Sequence, residues 1–425
     1  MCIAPKWKDA MCSKEPNPDA WTIGGQEYDL KDFAANHPGG SHAVWLSQGL
    51  DSTALFLSYH PADYVKRLRP YAVGEPAPNA PVSLAADPLL TDLRLRVSKA
   101  FGKPLRELKT PMWGWAVNAA LVAVYASLWY AWATMPSLLI AAAFGLSGFF
   151  VAGFIQHEGS HFSLSKKVWV NNIGRYMLLP WGDPAEWFRA HTCTHHPYTN
   201  TDLDPDFQHE DPLVRHHPDA PHSWSHYMMV FILVIYGPLL PFFYSIDGRA
   251  AGSAFKRAIK LRNSGWTAME SRAYLLLTPA MFYSHYLAHG SVVLALLPVS
   301  AFGLVFLWIT QLSHIQEVST PPMCDATDAT RFVTQQLATT LDYSHGNTLV
   351  TLFSIWLNHQ AAHHLLPGIS HYHFADERFV KAFDEWRKEH NLPFHYEHEF
   401  SKVVKMHLNW ITKLSGGVTS PIKAD

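Results

Sequence analysis

Histidine is the residue type through which this sequence can do chemistry, and 26 of the 425 residues are His. Two groups stand about thirty residues apart, His157-Glu158-Gly159-Ser160-His161 and His191-Thr192-Cys193-Thr194-His195-His196. A third, Gln360-Ala361-Ala362-His363-His364, lies far downstream. His157 and His161 are i and i+4, as are His191 and His195, so on a helix each pair shares one face. His196 is one step round, and five imidazoles can then point at one volume. A single zinc ion takes three or four ligands, often with a Glu or Cys among them. Glu158 after His157 matches a zinc-protease pattern, but a site of that type leaves His195, His196, His363 and His364 unexplained. Seven or eight histidines suit two first-row ions. Imidazole suits iron, and open positions on iron allow O2 chemistry. The residues favour two irons about 4–7 Å apart, a bracket around the spacing of close two-metal sites.

Other residues can support such a centre. His314, in Gln311-Leu312-Ser313-His314, directly follows an apolar run and is an eighth candidate ligand. Gln360, one helical turn before His363, is a weak ligand or a hydrogen-bond partner of one. Metal-bound imidazoles usually give their outer N–H to a carboxylate or carbonyl. Asp202, Asp204 and Asp206 follow the second group with a period of two, and Asp183 and Glu186 precede it; the alternative for each is a solvated acidic loop. His285, His289 and His345 read as polar residues satisfied locally.

The elements that must position these groups are apolar. Charged residues are 16% of the chain, against roughly 25% in soluble domains, while 48% are hydrophobic and 13% aromatic. Apolar runs occupy 114–134, 138–156, 227–246, 273–289 and 291–312, and a span needs about 20 residues. Only Met135-Pro136-Ser137 separates the first two, which predicts a tight hairpin. Lys and Arg crowd 94–109 and 249–272, so both segments are expected on the cytosolic side. Run 227–246 then cannot cross once. With Gly237, Pro238 and Pro241 inside it, a re-entrant or interfacial segment is expected there. Runs 273–289 and 291–312 form a second hairpin turning near Gly290. The alternative uses 227–246 as a span and leaves 273–289 at the interface. Four spans put every histidine group on one face. Trp181, Trp187 and Trp356 sit near the groups and read as interfacial anchors or slot walls. The polar tail 313–425, with an apolar stripe over 379–386, is expected to cap the site. The net charge of −2 gives no sign of a nucleic-acid partner. Four unpaired cysteines fit a reducing compartment. No apolar run opens the chain, so no cleavable leader is expected and the N-terminus is placed in the cytosol.

Ahead of the membrane part, after a tail at 1–19, residues 20–74 read as a small soluble α+β domain. Asn36-His37-Pro38-Gly39-Gly40 makes a tight turn that presents His37, and His60-Pro61 follows 23 residues later. Two neutral imidazoles can hold a haem iron from opposite faces, with Leu46, Leu50, Leu55 and Phe56 as candidate pocket walls. The segment 75–90, EPAPNAPVSLAADPLL, reads as a semi-stiff tether.

The N-terminal stretch, with its His-Pro-Gly-Gly and later His, resembles cytochrome b5 over about 55 residues. The resemblance implies that His37 and His60 are axial ligands of haem b. The three histidine boxes resemble those of the membrane fatty acid desaturases. The haem domain together with Gln360 opening the third box looks like the front-end desaturases, which insert a double bond between an existing one and the carboxyl end. The resemblance covers nearly the whole chain. It implies a mostly α fold: a four-span helical membrane desaturase domain over 91–425 with a cytosolic diiron cap, joined to the haem domain. It also implies two non-haem irons, O2 as co-substrate, a fatty acyl lipid or acyl-CoA substrate, and electrons from NADH through cytochrome b5 reductase at the endoplasmic reticulum. His157, His161, His191, His195, His196, His363 and His364 match the family's ligand positions. The sequence departs from the family at Glu158, where Asp is commoner, at Ala361-Ala362, where Ile-Glu is common, and in the three residues between His191 and His195. A sphingoid-base desaturase or a lipid hydroxylase fits the same scaffold. A non-catalytic haem-bearing electron carrier and a histidine-rich metal transporter are the readings of other classes.

Overall fold

A computed structural model describes residues 17–75, 87–201, 204, 214–218, 220, 222–229, 265–320 and 332–417, with side chains from 276 onward in the segment that starts at 265. The expectations for Asp202 and Asp206, for the apolar run beyond Met229, for the basic stretch 249–264 and for most of the tether lie outside those residues.

The N-terminal domain is built on a three-stranded antiparallel sheet in the order β1 (Trp21–Ile23), β2 (Gln26–Tyr28), β3 (Ala72–Val73). Strand alternation puts Trp21 and Ile23 inward, where they pack with Tyr28, Leu30, Ala34, Val44 and Leu68. The Trp21 indole N–H donates to the Val44 carbonyl at 2.6 Å, which satisfies the ring's one polar atom inside the core. Short helices at Lys31–Ala34, Ser41–Trp45 and Thr53–Tyr59 bring His37 and His60 to the same side.

The expected tether is shorter than its sequence range. Asp87 accepts the Leu89 N–H at 2.9 Å and caps a helix, Pro88–Phe101, so 87–90 is helical. Proline at a first helical position is tolerated because that N–H has no partner in any case.

Among the described residues three helices are long and apolar enough to cross a membrane: Met112–Thr134, Leu138–Ser160 and Val292–Gln311. The tight hairpin at Met135–Ser137 is present. The four expected spans are therefore three by this measure. The fourth long helix, Gly265–His289, begins well ahead of 273 and takes in polar residues. It still turns at Gly290, whose φ of 65° is the left-handed region glycine accepts readily. On Met112–Thr134 only Gly114, Asn118 and Trp132 are buried, while Val122, Val124, Trp129 and Tyr130 are exposed. An apolar helix bare on most sides has lipid as its natural solvent.

The helix Leu138–Val151 packs against both neighbours, and two details fix that contact. Gly145 lies so close to the helix Val292–Gln311 that an added Cβ would stand 2.1 Å from the Pro298 carbonyl oxygen. Pro298 has no N–H, so the Leu294 carbonyl one turn back loses its helical donor; the Trp132 indole N–H, from Met112–Thr134, takes that carbonyl at 2.8 Å. His285 and His289 donate Nε2–H to the Trp132 and Ala133 carbonyls at 3.0 and 2.9 Å, closing open carbonyls at a helix end. Both bond locally to backbone carbonyls, as expected.

The tail packs under the helices' far end. In Glu377–Glu389 the residues Phe379, Ala382, Phe383 and Trp386 are buried. They meet Leu90, Leu93 and Val97 of Pro88–Phe101, with the Trp386 indole N–H donating to Leu89 O at 3.0 Å. A two-stranded parallel pair, β4 (Leu341–Tyr343) and β5 (His395–Glu397), ties the tail to the third histidine group, because Asp342 Oδ1 accepts the Ala361 N–H at 2.8 Å.

Replacing Gly145 by Val forces the two central helices apart at the Pro298 carbonyl. Overpacking of this kind costs about 1–3 kcal/mol, and thermal unfolding in detergent, followed by intrinsic fluorescence, should show a lowered midpoint; an unchanged one would contradict the contact.

Candidate metal centre

The first two histidine groups do not lie on ordinary α-helical turns. Ala152–His157 and Phe188–His195 are both π-helical, a rare conformation that concentrates at functional sites. In the second group the i, i+4 pair does share a face, with the His191 and His195 rings stacked at 5.4 Å, and the π-turn adds a further neighbour. A π-turn brings residue i next to i+5, and His191 Nε2 lies 3.2 Å from His196 Nε2. His195 also meets His314 and His364, with ring centroids 4.8 and 5.1 Å distant.

Eight imidazoles converge in two adjoining groups. His157, His161, His191 and His363 form one; His195, His314 and His364 form the other; His196 joins His363 and His364 between them. Within each group the ligand atoms lie within 4.8 Å of one another. The seven box histidines and His314 are thus brought together.

Four of the rings are held by their outer nitrogen. His195 Nδ1 stands 3.0 Å from Asp204 Oδ2, and that carboxylate also accepts the Asn200 N–H at 2.8 Å. His314 Nδ1–H donates to the Thr339 carbonyl at 3.1 Å, His364 Nδ1–H to Gln336 Oε1 at 2.8 Å. His161 Nδ1 is 2.9 Å from the Tyr59 hydroxyl. These contacts fix the tautomer and leave Nε2 as a lone-pair donor. Buried Nε2 atoms of His161, His363 and His364 have no hydrogen-bond partner, as metal ligation would have it. Burial first, and then the neighbouring imidazoles, hold His161, His191, His196, His363 and His364 well below the usual histidine range. Burial likewise pushes His314 down to about 3. Neutral rings are what a metal needs.

Gln360 is buried with its amide 2.8 Å from His314 Nε2. Asp204 is the carboxylate partner expected of the acidic residues. Asp183 takes a different role: its Oδ1 accepts the Ala185 and Glu186 N–H groups and caps the helix Pro184–Trp187. Glu158 pairs with His371, whose Nδ1 and backbone N each lie 3.1 Å from Glu158 Oε1, so the protease-like pattern has another use. His345 bonds to Asn358 O and faces Asp342, each at 3.1 Å. With His359 it brings a further trio of ligand atoms within 4.8 Å. Sequence reasoning missed Gln336, Thr339 and Tyr59, which lie far from the boxes along the chain and carry no spacing signal.

A cavity opens onto the groups, walled by Phe149, Gly153, Phe306, Leu307, Ile355 and Leu357, with His157, His191, His195 and His314 among its lining. Ile355 and Trp356 have φ of 58° and 60°; for a β-branched residue the left-handed region is strained, and such strain gathers at functional sites. Trp187 lines the cavity, as one reading expected, while Trp181 and Trp356 are buried rather than at a surface. Trp181 is buried and stacks on Phe302 at 5.0 Å, Trp187 stacks on His191 at 4.2 Å, and Trp356 on His371 at 5.1 Å.

In the N-terminal domain the rings of His37 and His60 face each other with centroids 5.9 Å apart. Their Nδ1–H groups donate to the Gly40 and Phe56 carbonyls, both at 3.1 Å. Burial, then the His37 ring, pushes His60 down to about 4. Two neutral imidazoles with free Nε2 atoms fit a single haem iron. Phe56 stacks on His60 at 4.8 Å. Leu46 and Leu55, expected as pocket walls, instead pack with Phe162, Phe188 and Cys193.

The chain matches the family model "Fatty acid desaturase" over residues 131–398, and that for the cytochrome b5-like haem/steroid-binding domain over 7–77. It is 30% identical to an acyl-lipid (8-3)-desaturase of Physcomitrium patens, covering 86% of this chain and 83% of the relative. It is 27% identical to Delta(5) fatty acid desaturase A of Dictyostelium discoideum, covering 93% and 90%. An acyl-lipid (8-3)-desaturase of Mortierella alpina is 26% identical, with 92% and 93% covered.

Removing the Asp204 carboxylate as Asp204→Ala frees the His195 ring. Loss of such a partner typically costs 10–100-fold in metal affinity, so non-haem iron per purified chain, measured by plasma mass spectrometry during chelator challenge, should fall well below that of the unaltered protein.

Proposed function

The chain belongs to the fatty acid desaturase family, and we propose that it is a front-end fatty acyl desaturase that inserts a cis double bond between an existing one and the carboxyl end of a polyunsaturated chain. The observation that carries this reading is the meeting of eight histidines in two adjoining groups at the end of an apolar-walled cavity. The names of the relatives from moss, slime mould and fungus support it, as does the paired-histidine domain on the same chain.

Bound iron, with O2, supplies the oxidising chemistry that an unactivated methylene C–H demands and that protein side chains lack. His157, His161, His191 and His363 would hold one iron, His195, His314 and His364 the other, with His196 between. The carboxylate of Asp204, the Thr339 carbonyl and the Gln336 amide keep these rings aimed. The Phe149, Phe306, Leu307 and Ile355 walls exclude water and grip an acyl chain through its apolar surface. Gln360, bonded to His314, is a positioning residue at the cavity floor. His37 and His60 would hold haem b. Its electrons come from NADH through a cytochrome b5 reductase, and the fused domain keeps the electron donor at high local concentration.

For the membrane, the helix Gly265–His289 joins the three apolar helices as a fourth span. The basic stretch 94–109 then lies on the cytosolic side with the histidine groups and the haem domain. The endoplasmic reticulum, where acyl lipids and such reductases meet, is the membrane this arrangement fits.

Yeast expressing the chain and fed defined polyunsaturated fatty acids should accumulate one new double bond on the carboxyl side of the existing ones, mapped by mass spectrometry of derivatised esters. A hydroxylated product or an altered sphingoid base in its place would overturn the assignment. With His37→Ala the same assay should lose at least about tenfold of its product while the protein stays in the membrane fraction, because general proximity effects cannot replace the bound electron carrier.

A further inference from the structure

Three of the four clamps on the metal-side histidines, from Asp204, Gln336 and Thr339, come from the membrane domain itself. The fourth does not. His161 is fully buried, its Nε2 has no hydrogen-bond partner, and its Nδ1 meets the hydroxyl of Tyr59 at 2.9 Å. Tyr59 ends the short helix Thr53–Tyr59 of the N-terminal domain and directly precedes His60. We propose that Tyr59 is a positioning residue for His161, so that the haem domain forms part of the metal centre rather than only delivering electrons to it. This rests on the histidine groups being an iron centre.

The physical argument concerns one proton. For Nε2 to offer a lone pair to a metal, the neutral ring must carry its hydrogen on Nδ1. A buried N–H without an acceptor is costly; with Nε2 committed to a metal, the Tyr59 oxygen is the acceptor that this N–H needs. No electron or proton has to move for the contact to act.

The domain is seated to make this contact. Arg94, from Pro88–Phe101, donates to the Leu57 and Ser58 carbonyls at 2.5 and 2.8 Å, closing the helix end beside Tyr59. The Tyr198 hydroxyl, two residues beyond His196, donates to the Asp51 carbonyl. Leu46 and Leu55 pack with Phe188 and Cys193. Phe162, next after His161, has φ of 56°, and its ring stands edge-on to Tyr59 at 6.3 Å. The haem ligand and the metal ligand are thereby one residue and one hydrogen bond apart.

Full-length Tyr59→Phe tests this, because it deletes one oxygen and keeps the ring against Phe162. Protein grown on 57Fe would be purified in detergent. The Soret band of the haem and the yield from membranes should match the unaltered protein. Non-haem iron should leave during chelator challenge about tenfold faster or more, the range typical for a lost partner of a metal-bound histidine, and the non-haem Mössbauer doublets should change, a signature that looser folding alone does not give. Iron retention and Mössbauer doublets equal to those of the unaltered protein would overturn the role of Tyr59. Unaltered protein that carries haem but no non-haem iron would instead overturn the iron-centre reading.

Discussion

Eight imidazoles share one interior volume, four of them with the outer nitrogen tied to the protein. Neutral imidazoles crowded in this way fit metal binding, and the rest of the structure is arranged to make that crowding possible. Apolar helices end where the histidines begin. The π-helical turns at Ala152–His157 and Phe188–His195 re-aim ligands that an α-helix would spread differently. Oxygen atoms from Asp204, Thr339, Gln336 and Tyr59 each settle which nitrogen of a ring carries hydrogen.

The apolar frame does more than reach through a membrane. Pro298 breaks one helical hydrogen bond, and the freed carbonyl is taken by Trp132 from another helix. Gly145 lets that same region come close. His285 and His289 close the end of the first long helix. These contacts hold three helices in fixed register, so that His157 at the end of one and His314 after another arrive at the same depth. Strain at Ile355 and Trp356 then swings the third group in beneath them.

The N-terminal domain follows the same logic on a smaller scale. A three-stranded sheet and three short helices set two neutral imidazoles face to face, each with its Nδ1–H on a backbone carbonyl. Its outer surface is also specific: Leu46 and Leu55 face the other domain rather than a porphyrin pocket. A domain joined only as a loose electron donor would have no need of that face.

Much of the site was legible in the chain itself. Histidine spacing picked out seven of the residues that converge, and a short run after an apolar stretch picked out His314, because residue type and local period are carried by the chain itself. The hairpin at Met135–Ser137, the turn at Gly290 and the buried stripe Phe379–Trp386 were equally local. Tertiary structure decided the rest. It set His191 against His196 as well as His195, gave Asp183 to a helix cap and Asp204 to a ring, and buried Trp181 and Trp356. It also brought Tyr59 to His161, 102 positions away, and Gln336 and Thr339 to His364 and His314, 28 and 25 positions away. Sequence periodicity reports which side of an element a residue faces; what stands opposite depends on how distant elements pack, and no local pattern carries that.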